Sequence, residues 1–365
     1  MKQTIDLSDL GLSETHMREA AAWSEGLHLA RVAAQHRDGY TVMTGNGENR
    51  ATVSGRLNHL SSDPAEYPVV GDWVLVDRAD GADGNAVIHR VLTRKSSIER
   101  GAAGGTRRQV LAANINTLFL CMSLNDDFNL RRIERYLAIA WDSGATPVIV
   151  LTKADLCGDV PEKVTQVQAA APGVDVVVTC ALEENGYEGL KTYMQKGRTA
   201  VFLGSSGVGK SSLINGLLGA KVQVTKGIRE NDGKGRHTTT RRQLLRVPGG
   251  GAVIDTPGLR EIRIACSDLS KAFSDIEELA RGCRFRDCKH MAEPDCAVQR
   301  AVEDGRLFAG RLENYHKLQR ELKHIERSET MTAGQAEKRK SIDMMGSLDA
   351  RKQLKKIIRE KKETR

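Results

Sequence analysis

Aromatic residues are scarce in this chain, in which phenylalanine, tryptophan and tyrosine together make up 4% of 365 residues. Long apolar runs are also missing, because the longest, such as 147–151 and 199–203, are far too short to cross a bilayer. The first residues include acidic side chains where a secretory signal would need an apolar stretch. These absences argue against a membrane protein and a secreted one, and they favour a cytoplasmic protein.

The chain is longer than a single hydrophobic core usually supports, so two or three domains are expected. Residues 1–26 carry no motif and are predicted to form an N-terminal extension. Residues 27–105 contain five or so short strands separated by glycine-rich turns, a pattern typical of a small β-barrel of the OB type. Basic residues interleave with these strands and serve either RNA contact or solubility: Arg31, Arg37, Arg50, Arg56, Arg90, Arg94 and Lys95.

Beyond a glycine- and alanine-rich linker at 101–105, the pattern changes to strands that alternate with helices through residues 106–265. One helix is expected from the spacing of Leu130, Ile133 and Leu137, and Gly144 should end it. This alternation predicts a parallel α/β sheet covered by helices on both faces.

Residues 266–325 lack strand patterns and are predicted to form a mainly helical domain, followed by a basic tail at 326–365. From Arg311 to Arg365, sixteen lysines and arginines outnumber nine acidic residues, so this part carries most of the net charge of +8. Such a tail is either a phosphate-binding surface or a solvated helix.

The helical region contains three of the seven cysteines within fourteen residues, a crowding that suggests metal binding in a cytoplasmic chain. Three thiolates and one imidazole can complete a tetrahedral shell around a structural zinc ion. The alternative is a loop of reduced, unliganded thiols. The four candidate ligands are Cys283, Cys288, His290 and Cys296.

The segment after the strand 199–203 fits the phosphate-loop pattern GxxxxGK[ST] at every required position. Its backbone N–H groups are expected to surround the phosphates, with Lys210 beside the β- and γ-phosphates and Ser211 binding Mg²⁺. The predicted loop residues are Gly204, Ser205, Ser206, Gly207, Val208, Gly209, Lys210 and Ser211, followed by Ser212.

Two further motifs follow the phosphate loop. Asp255 and Gly258 match the DxxG element, in which the aspartate holds Mg²⁺ through water and the glycine N–H contacts the γ-phosphate. Between the loop and this element lies a polar segment in which Thr238 or Thr239 is expected to complete the Mg²⁺ shell.

Guanine recognition requires an acceptor for the N1–H and 2-amino groups, and Asp155 in the TKxD pattern at 152–155 provides one. Lys153 is expected to lie along the base face, and Thr152 stands where asparagine is usual, with fewer hydrogen bonds available. The predicted base site also includes Ala154, Cys180 and Ala181, of which the last two would approach the guanine O6.

The order of these motifs is unusual, since the guanine motif precedes the phosphate loop instead of following it. With this order, the chain resembles the RsgA family of circularly permuted GTPases over most of residues 27–320. The shared motifs are 71–74, 113–115, 132–136, 204–212, 236–240 and the cysteine block.

This resemblance implies an OB barrel, a permuted GTPase domain and a zinc-binding helical domain. It also implies a role late in assembly of the small (30S) ribosomal subunit, contact with its 16S-type rRNA, and GTP hydrolysis to GDP stimulated by the subunit. We expect a monomer.

The position that holds a catalytic glutamine in Ras-like enzymes is Leu259, which cannot orient water. His237, beside the candidate threonines, is therefore the candidate catalytic residue together with Lys210, and the resemblance points to the same histidine. The alternative for His237 is an exposed loop histidine without a catalytic role. Two other functions stay open: a permuted GTPase acting on another ribonucleoprotein, and an RNA-binding module with weak nucleotide turnover.

Overall fold

The computed structural model describes residues 4–23, 26–61, 63–80, 84–101, 108–183, 185–220, 242–256 and 269–330. None of the helices in these ranges is both long enough and apolar enough to span a membrane.

Five strands near the N-terminus close into a barrel, in the order β1-β2-β3-β5-β4 with β4 pairing back to β1. The strands β3 and β5 run parallel, and the other neighbours run antiparallel. Small and branched side chains such as Ala30, Val42 and Ile88 fill its interior. This barrel confirms the predicted OB-type domain. Its strands are β1 (His28–His36), β2 (Gly39–Thr44), β3 (Gly47–Val53), β4 (Trp73–Val76) and β5 (Ala86–Val91), and a short helix, α2 (Gly55–Leu60), follows β3.

A second set of strands forms the sheet order β10-β9-β8-β11-β13-β12, parallel except for the antiparallel pair β12 and β13. The strand β12 also pairs with β1, so the barrel and this sheet are continuous. The strands are β8 (Thr117–Ser123), β9 (Thr146–Thr152), β10 (Asp175–Val178), β11 (Thr199–Gly204), β12 (Gln243–Arg246) and β13 (Ala252–Asp255).

Helices cover both faces of this sheet, as predicted. Alternate side chains of β8 show the arrangement, because Leu118 and Leu120 pack with helix α3 while Phe119 packs with helix α5. Helix α3 begins after Asn129, whose side chain accepts the Arg132 N–H, and it ends at Gly144 with φ of 77°. The helices are α3 (Leu130–Ser143), α4 (Val160–Ala170) and α5 (Lys210–Leu218).

The C-terminal part is helical, as predicted, and it packs against the sheet domain through α3 and α4. The guanidinium of Arg311 is buried, where it pairs with Glu134 of α3 at 2.8 Å and with Asp275 at 2.6 Å. It also donates to the Ala170 carbonyl at 2.8 Å. The helices are α6 (Ser274–Ala280), α7 (Ala297–Glu303) and α8 (Ala309–Thr330).

The predicted N-terminal extension is an ordered strap across the barrel and the sheet domain. The Ile5 N–H donates to Gly45 of the barrel, and the Asp9 carbonyl accepts from Gly197 just before β11, both at 3.0 Å. Helix α1 (Glu14–Ala21) follows, capped by Ser13. We call residues 4–22 the N-terminal strap.

The predicted linker at 101–105 lies between two strands that pair with each other, β6 (Ser97–Gly101) and β7 (Arg108–Ala113). Residues 102–107 themselves lie outside the described residues. The domain boundaries at 26, 105, 265 and 325 stay predictions.

Two of the basic side chains that are candidates for RNA contact are instead engaged by groups of the protein itself. Arg31 is 1% exposed, and it lies over the Trp73 ring. Arg94 pairs at 2.8 Å with Asp72, a carboxylate with no exposed surface. Arg31 therefore joins the barrel to Leu10 and Asn114, whereas Arg94 holds the segment 65–72 within the barrel region.

Candidate nucleotide site and metal cluster

The predicted nucleotide motifs meet at one edge of the sheet. The strands β9, β8, β11 and β13 are parallel neighbours, so their carboxyl ends lie together. Thr152 ends β9, Gly204 ends β11 and Asp255 ends β13. The reversed motif order in sequence thus still produces a single site.

The phosphate loop 204–211 connects β11 to helix α5. Gly207 and Gly209 have φ of 77° and 108°, which side chains rarely tolerate. A Cβ on Gly204 would come within 2.7 Å of the Cys121 carbonyl oxygen, so the loop start requires glycine. The Lys210 ammonium donates to the carbonyls of Gly204 and Ser205 at 2.7 and 2.6 Å. Lys210 therefore lies across the loop, at the N-terminus of helix α5.

A hydrogen bond joins the guanine motif to the phosphate loop. The hydroxyl of Thr152, which is 3% exposed, donates to the Val208 carbonyl at 2.5 Å. The Val208 side chain is itself buried, so both partners are fixed. Thr152 thus connects the two motifs despite replacing the usual asparagine.

The two predicted guanine segments also contact each other. Lys153 adopts a left-handed conformation with φ of 57°, and a short 3₁₀ turn, Ala154–Leu156, follows it. Asp155 is exposed at this edge, where its Oδ1 accepts from the Cys180 thiol at 3.2 Å. The Ala154 N–H donates to the Thr179 carbonyl at 3.3 Å. Asp155 and the segment 180–181 are therefore adjacent.

Asp127 was missed by the sequence reasoning, although it contacts the phosphate loop directly. It follows β8, and its Oδ2 accepts from the Ser205 hydroxyl and from Arg132, both at 2.7 Å. The hydrogen bond from Arg132, supported by that from Ser205, lowers the pKa of Asp127. A carboxylate just past a buried strand, at the edge where the other motifs end, was the available signal.

Several predicted residues lie outside the described residues, namely His237, Thr238, Thr239, Gly258 and Leu259. Asp255 lies within the described residues and is half-buried at the edge of the site. The next residue, Thr256, has a buried hydroxyl without a hydrogen bond inside the described ranges. Carboxylate and hydroxyl oxygens are the ligands that Mg²⁺ prefers, so Asp255 together with Ser211 fits a magnesium ion.

The three cysteines and one histidine of the C-terminal part form a compact cluster, with all four ligand atoms within 4.8 Å of one another. Cys283 Sγ lies 3.8 Å from Cys296 Sγ and 3.6 Å from His290 Nδ1, and the distance from Cys296 Sγ to His290 Nδ1 is 3.5 Å. A tetrahedral zinc ion separates sulfur ligands by about 3.8 Å and sulfur from nitrogen by about 3.5 Å. The cluster geometry therefore fits a tetrahedral metal.

The residues around the cluster fix its shape. His290 has φ of 59°, and its carbonyl accepts from the Gln299 side chain at 2.6 Å. The Cys296 sulfur accepts from the Gln299 N–H at 3.4 Å, so this cysteine also begins helix α7. The fourth residue of the cluster, Cys288, lies half-buried in the loop between α6 and α7.

Comparison with known proteins agrees with this geometry. A family model described as RsgA GTPase matches residues 91–265, and one described as 50S ribosome-binding GTPase matches residues 199–332. The chain is 48% identical over 353 residues to small ribosomal subunit biogenesis GTPase RsgA 2 of Lactiplantibacillus plantarum, covering 96% of this chain and 98% of that relative. It is 47% identical over 301 residues to the protein of that name from Vibrio vulnificus, covering 81% and 82%.

Solved structures show the same arrangement. YjeQ from Thermotoga maritima is 30% identical with a TM-score of 0.61, and the match covers 81% of this chain and 98% of that structure. YloQ, described as a circularly permuted GTPase, is 24% identical with a TM-score of 0.59, and the match covers 82% of this chain and 96% of that structure, which supports the fold. The chain therefore belongs to the RsgA GTPase family, and it is a GTP hydrolase with a circularly permuted nucleotide-binding domain.

Proposed function

We propose that this protein binds the small (30S) ribosomal subunit, contacts its 16S-type rRNA and assists its late maturation, with hydrolysis of GTP to GDP stimulated by the subunit. The match to relatives named for small ribosomal subunit biogenesis carries this proposal, because it extends over 96% of the chain at 48% identity. In this proposal the protein acts as a monomer in the cytoplasm, where such a partner is found.

Asp155 is proposed to select guanine. Its exposed carboxylate at the site edge can accept from both the N1–H and the 2-amino group of guanine, a pair of donors that adenine lacks. The Lys153 stem would lie along the base face, and the segment 180–181 would approach the guanine O6. The contact between the Cys180 thiol and Asp155 supports a shared base site.

The phosphates are proposed to bind over the phosphate loop, where Lys210 and the N-terminus of helix α5 concentrate positive charge. Ser211 and Asp255 would hold Mg²⁺, which neutralises charge that develops on the phosphate oxygens. Thr238 or Thr239 would complete its shell, and the Gly258 N–H would contact the γ-phosphate.

His237 is proposed to orient the attacking water when the subunit is bound. Leu259 occupies the position of the usual glutamine and has no polar group for this task. Intrinsic hydrolysis should then be slow, and the stimulation should depend on the partner placing His237.

The cysteine–histidine cluster is proposed to bind one structural zinc ion. Zinc would link the loop of Cys288 to the start of helix α7 and so stabilise the helical domain. With four protein ligands, no position is left for a substrate.

GTP turnover measured with and without purified 30S subunits tests the proposal. We expect stimulation by 30S subunits and little by 50S subunits at equal concentration. Stimulation by 50S subunits alone would instead favour the second candidate, a GTPase of the large subunit, which the 50S-related family match over residues 199–332 suggests. No turnover under any condition would favour an RNA-binding module.

We also propose that nucleotide state changes the orientation of the helical domain and therefore rRNA affinity. Only 24 residues separate Gly258 from Cys283, so the γ-phosphate contact is close in sequence to the metal cluster. Binding of 30S subunits should differ between GDP and a non-hydrolysable GTP analogue, and equal affinities would contradict this switch.

A further inference from the structure

A cavity of about 300 Å³ lies where the N-terminal strap, the barrel and the parallel sheet meet. Asn116 and Arg198 line it, and they directly precede β8 and β11, so the cavity lies at the amino ends of these strands. The nucleotide site lies at their carboxyl ends. Because β11 has six residues, the two sites are on the order of 20 Å apart.

The cavity is lined by basic residues and by no aspartate or glutamate within the described ranges. Arg31, Lys95 and Arg198 contribute cations, and His16 adds an imidazole. These residues come from three different parts of the chain, which converge only in the folded protein.

The positive charge of Arg31 has no carboxylate in direct contact with it among the described residues. Its guanidinium donates to the carbonyls of Gly71 and Asn114 at 3.2 and 3.1 Å, and to that of Leu10. The nearby Asp72 has its oxygens occupied by Arg94 and the Val69 N–H. Burial lowers the pKa of Arg31 to about 10, because the charged guanidinium is removed from water. An anion in the cavity would therefore stabilise this charge.

Lys95 and Arg198 are exposed, and within the described ranges their side chains have neither an ion pair nor a hydrogen bond. Two hydroxyls of the wall, in contrast, already have partners. The Ser13 hydroxyl pairs with His16 Nδ1 at 2.9 Å, and that of Ser96 donates to Ile115 at 2.6 Å. The two exposed cations, and the buried His16 Nε2, which has no hydrogen bond within the described residues, are therefore groups left to bind a ligand.

We propose that this cavity binds a small phosphate-bearing ligand, which Lys95 and Arg198 contact from the barrel side and the sheet side. A phosphate group carries roughly two negative charges, which match the two exposed cations. The volume lies at the lower end of small-molecule pockets, which favours a small ligand over a nucleic-acid strand. Such a ligand would also tie the strap, the barrel and the sheet domain together.

Inorganic phosphate is the probe for the first test. The full chain is saturated with Mg²⁺ and a non-hydrolysable GTP analogue, which fills the phosphate loop, and phosphate is titrated by calorimetry at constant ionic strength. The variant Lys95→Gln with Arg198→Gln should bind phosphate at least about tenfold more weakly, the loss expected for one charge-assisted hydrogen bond. The control Lys191→Gln with Arg306→Gln removes two exposed cations elsewhere and should bind as the unchanged chain does.

Equal phosphate affinity in the cavity variant and the control, or no saturable binding in the unchanged chain, would overturn the proposal. Affinity for fluorescent GDP checks the fold of each variant. If the double variant no longer binds GDP, Lys95→Gln alone replaces it in the phosphate titration. The second test measures the binding of a single-stranded RNA oligomer to the same variants. Loss of RNA binding in the cavity variant, without phosphate binding in the unchanged chain, would assign the cavity to RNA and overturn the small-ligand proposal.

Discussion

The hydroxyl of Thr152 and the carbonyl of Val208 form a 2.5 Å hydrogen bond between residues 56 positions apart in the chain. Thr152 ends β9 and is the first residue of the guanine motif, and Val208 lies two positions before the phosphate-loop lysine. The bond therefore couples the position of the proposed base acceptor to the position of the phosphate loop. It also explains why threonine can replace the usual asparagine here, since a single donor suffices for this contact.

Thr152→Val keeps the shape of the side chain but removes this donor. The buried Val208 carbonyl then loses its partner, at a cost of about 1–3 kcal/mol. We expect affinity for fluorescent GDP to fall about tenfold, measured by titration. Thr165→Val is the matched control, because that exposed hydroxyl only bonds its own helix at the Pro161 carbonyl. Equal losses in both variants would mean that the Thr152 contact does not support the site.

Asp155→Asn tests base selection. An amide offers one donor and one acceptor, which fit the 2-carbonyl and N1–H of xanthine but leave one guanine donor unpaired. We expect GTP affinity to fall at least about a hundredfold and xanthosine triphosphate to become the better ligand. Competition against fluorescent GDP measures both. The control is Glu183→Gln, an exposed acid just past Ala181, and unchanged preference for GTP in Asp155→Asn would contradict the assignment.

The barrel, the parallel sheet and the ends of the motif-bearing strands could be predicted because each follows from a local pattern. Each of these patterns is visible within a few residues: the alternation of side chains along a strand, the glycines of a turn, and the spacing of a strand, a loop and a helix. The roles of Asp127 and Arg311 could not be predicted in this way. Each acts through a partner that is distant in sequence, Ser205 for Asp127 and Glu134 for Arg311. The place of Asp127 just past a buried strand marks it as a candidate for the site, but no local pattern identifies either partner. The strap at 4–22 was likewise seen only as an extension, since its contacts to Gly45 and Gly197 leave no periodic signal.

Arg311→Met should destabilise the protein strongly, because it leaves the Glu134 carboxylate buried without its cation. Loss of one partner of a buried ion pair costs about 3–5 kcal/mol. The control Arg306→Met, whose pair with Asp304 is exposed, should change the melting temperature little. Equal melting temperatures for the two variants would contradict the structural role of Arg311.

The Arg311→Met effect should also depend on pH. Burial already raises the pKa of Glu134, although Arg311 opposes this rise, so removing Arg311 raises it further. A carboxyl whose pKa is higher in the folded state binds its proton more tightly there, which favours folding at low pH. The melting temperature of the variant should therefore fall less below that of the unchanged chain near pH 5 than near pH 8, and thermal melts at both pH values measure this difference. A constant difference would exclude Glu134 as its cause.

Metal removal tests the cysteine–histidine cluster. Elemental analysis should find about one zinc per chain, and Cys288→Ser should lower this content, because three ligands bind zinc less tightly than four. The melting temperature should fall with the metal content, while GDP affinity changes little, since the cluster lies in the helical part. Cys157→Ser, a half-buried cysteine outside the cluster, is the control. Full zinc content in Cys288→Ser would exclude this residue as a ligand.

His237→Ala addresses the proposed catalytic step. If His237 orients the attacking water only on the subunit, the variant should lose the 30S-stimulated turnover and keep its GTP affinity, because binding depends on Asp155 and Lys210. Phosphate release with and without 30S subunits, together with fluorescent-GDP titration, measures both quantities. His59→Ala, an exposed histidine of the barrel region, is the control and should retain the stimulation. Normal stimulation of His237→Ala would eliminate this residue and leave water positioning to a group supplied by the partner.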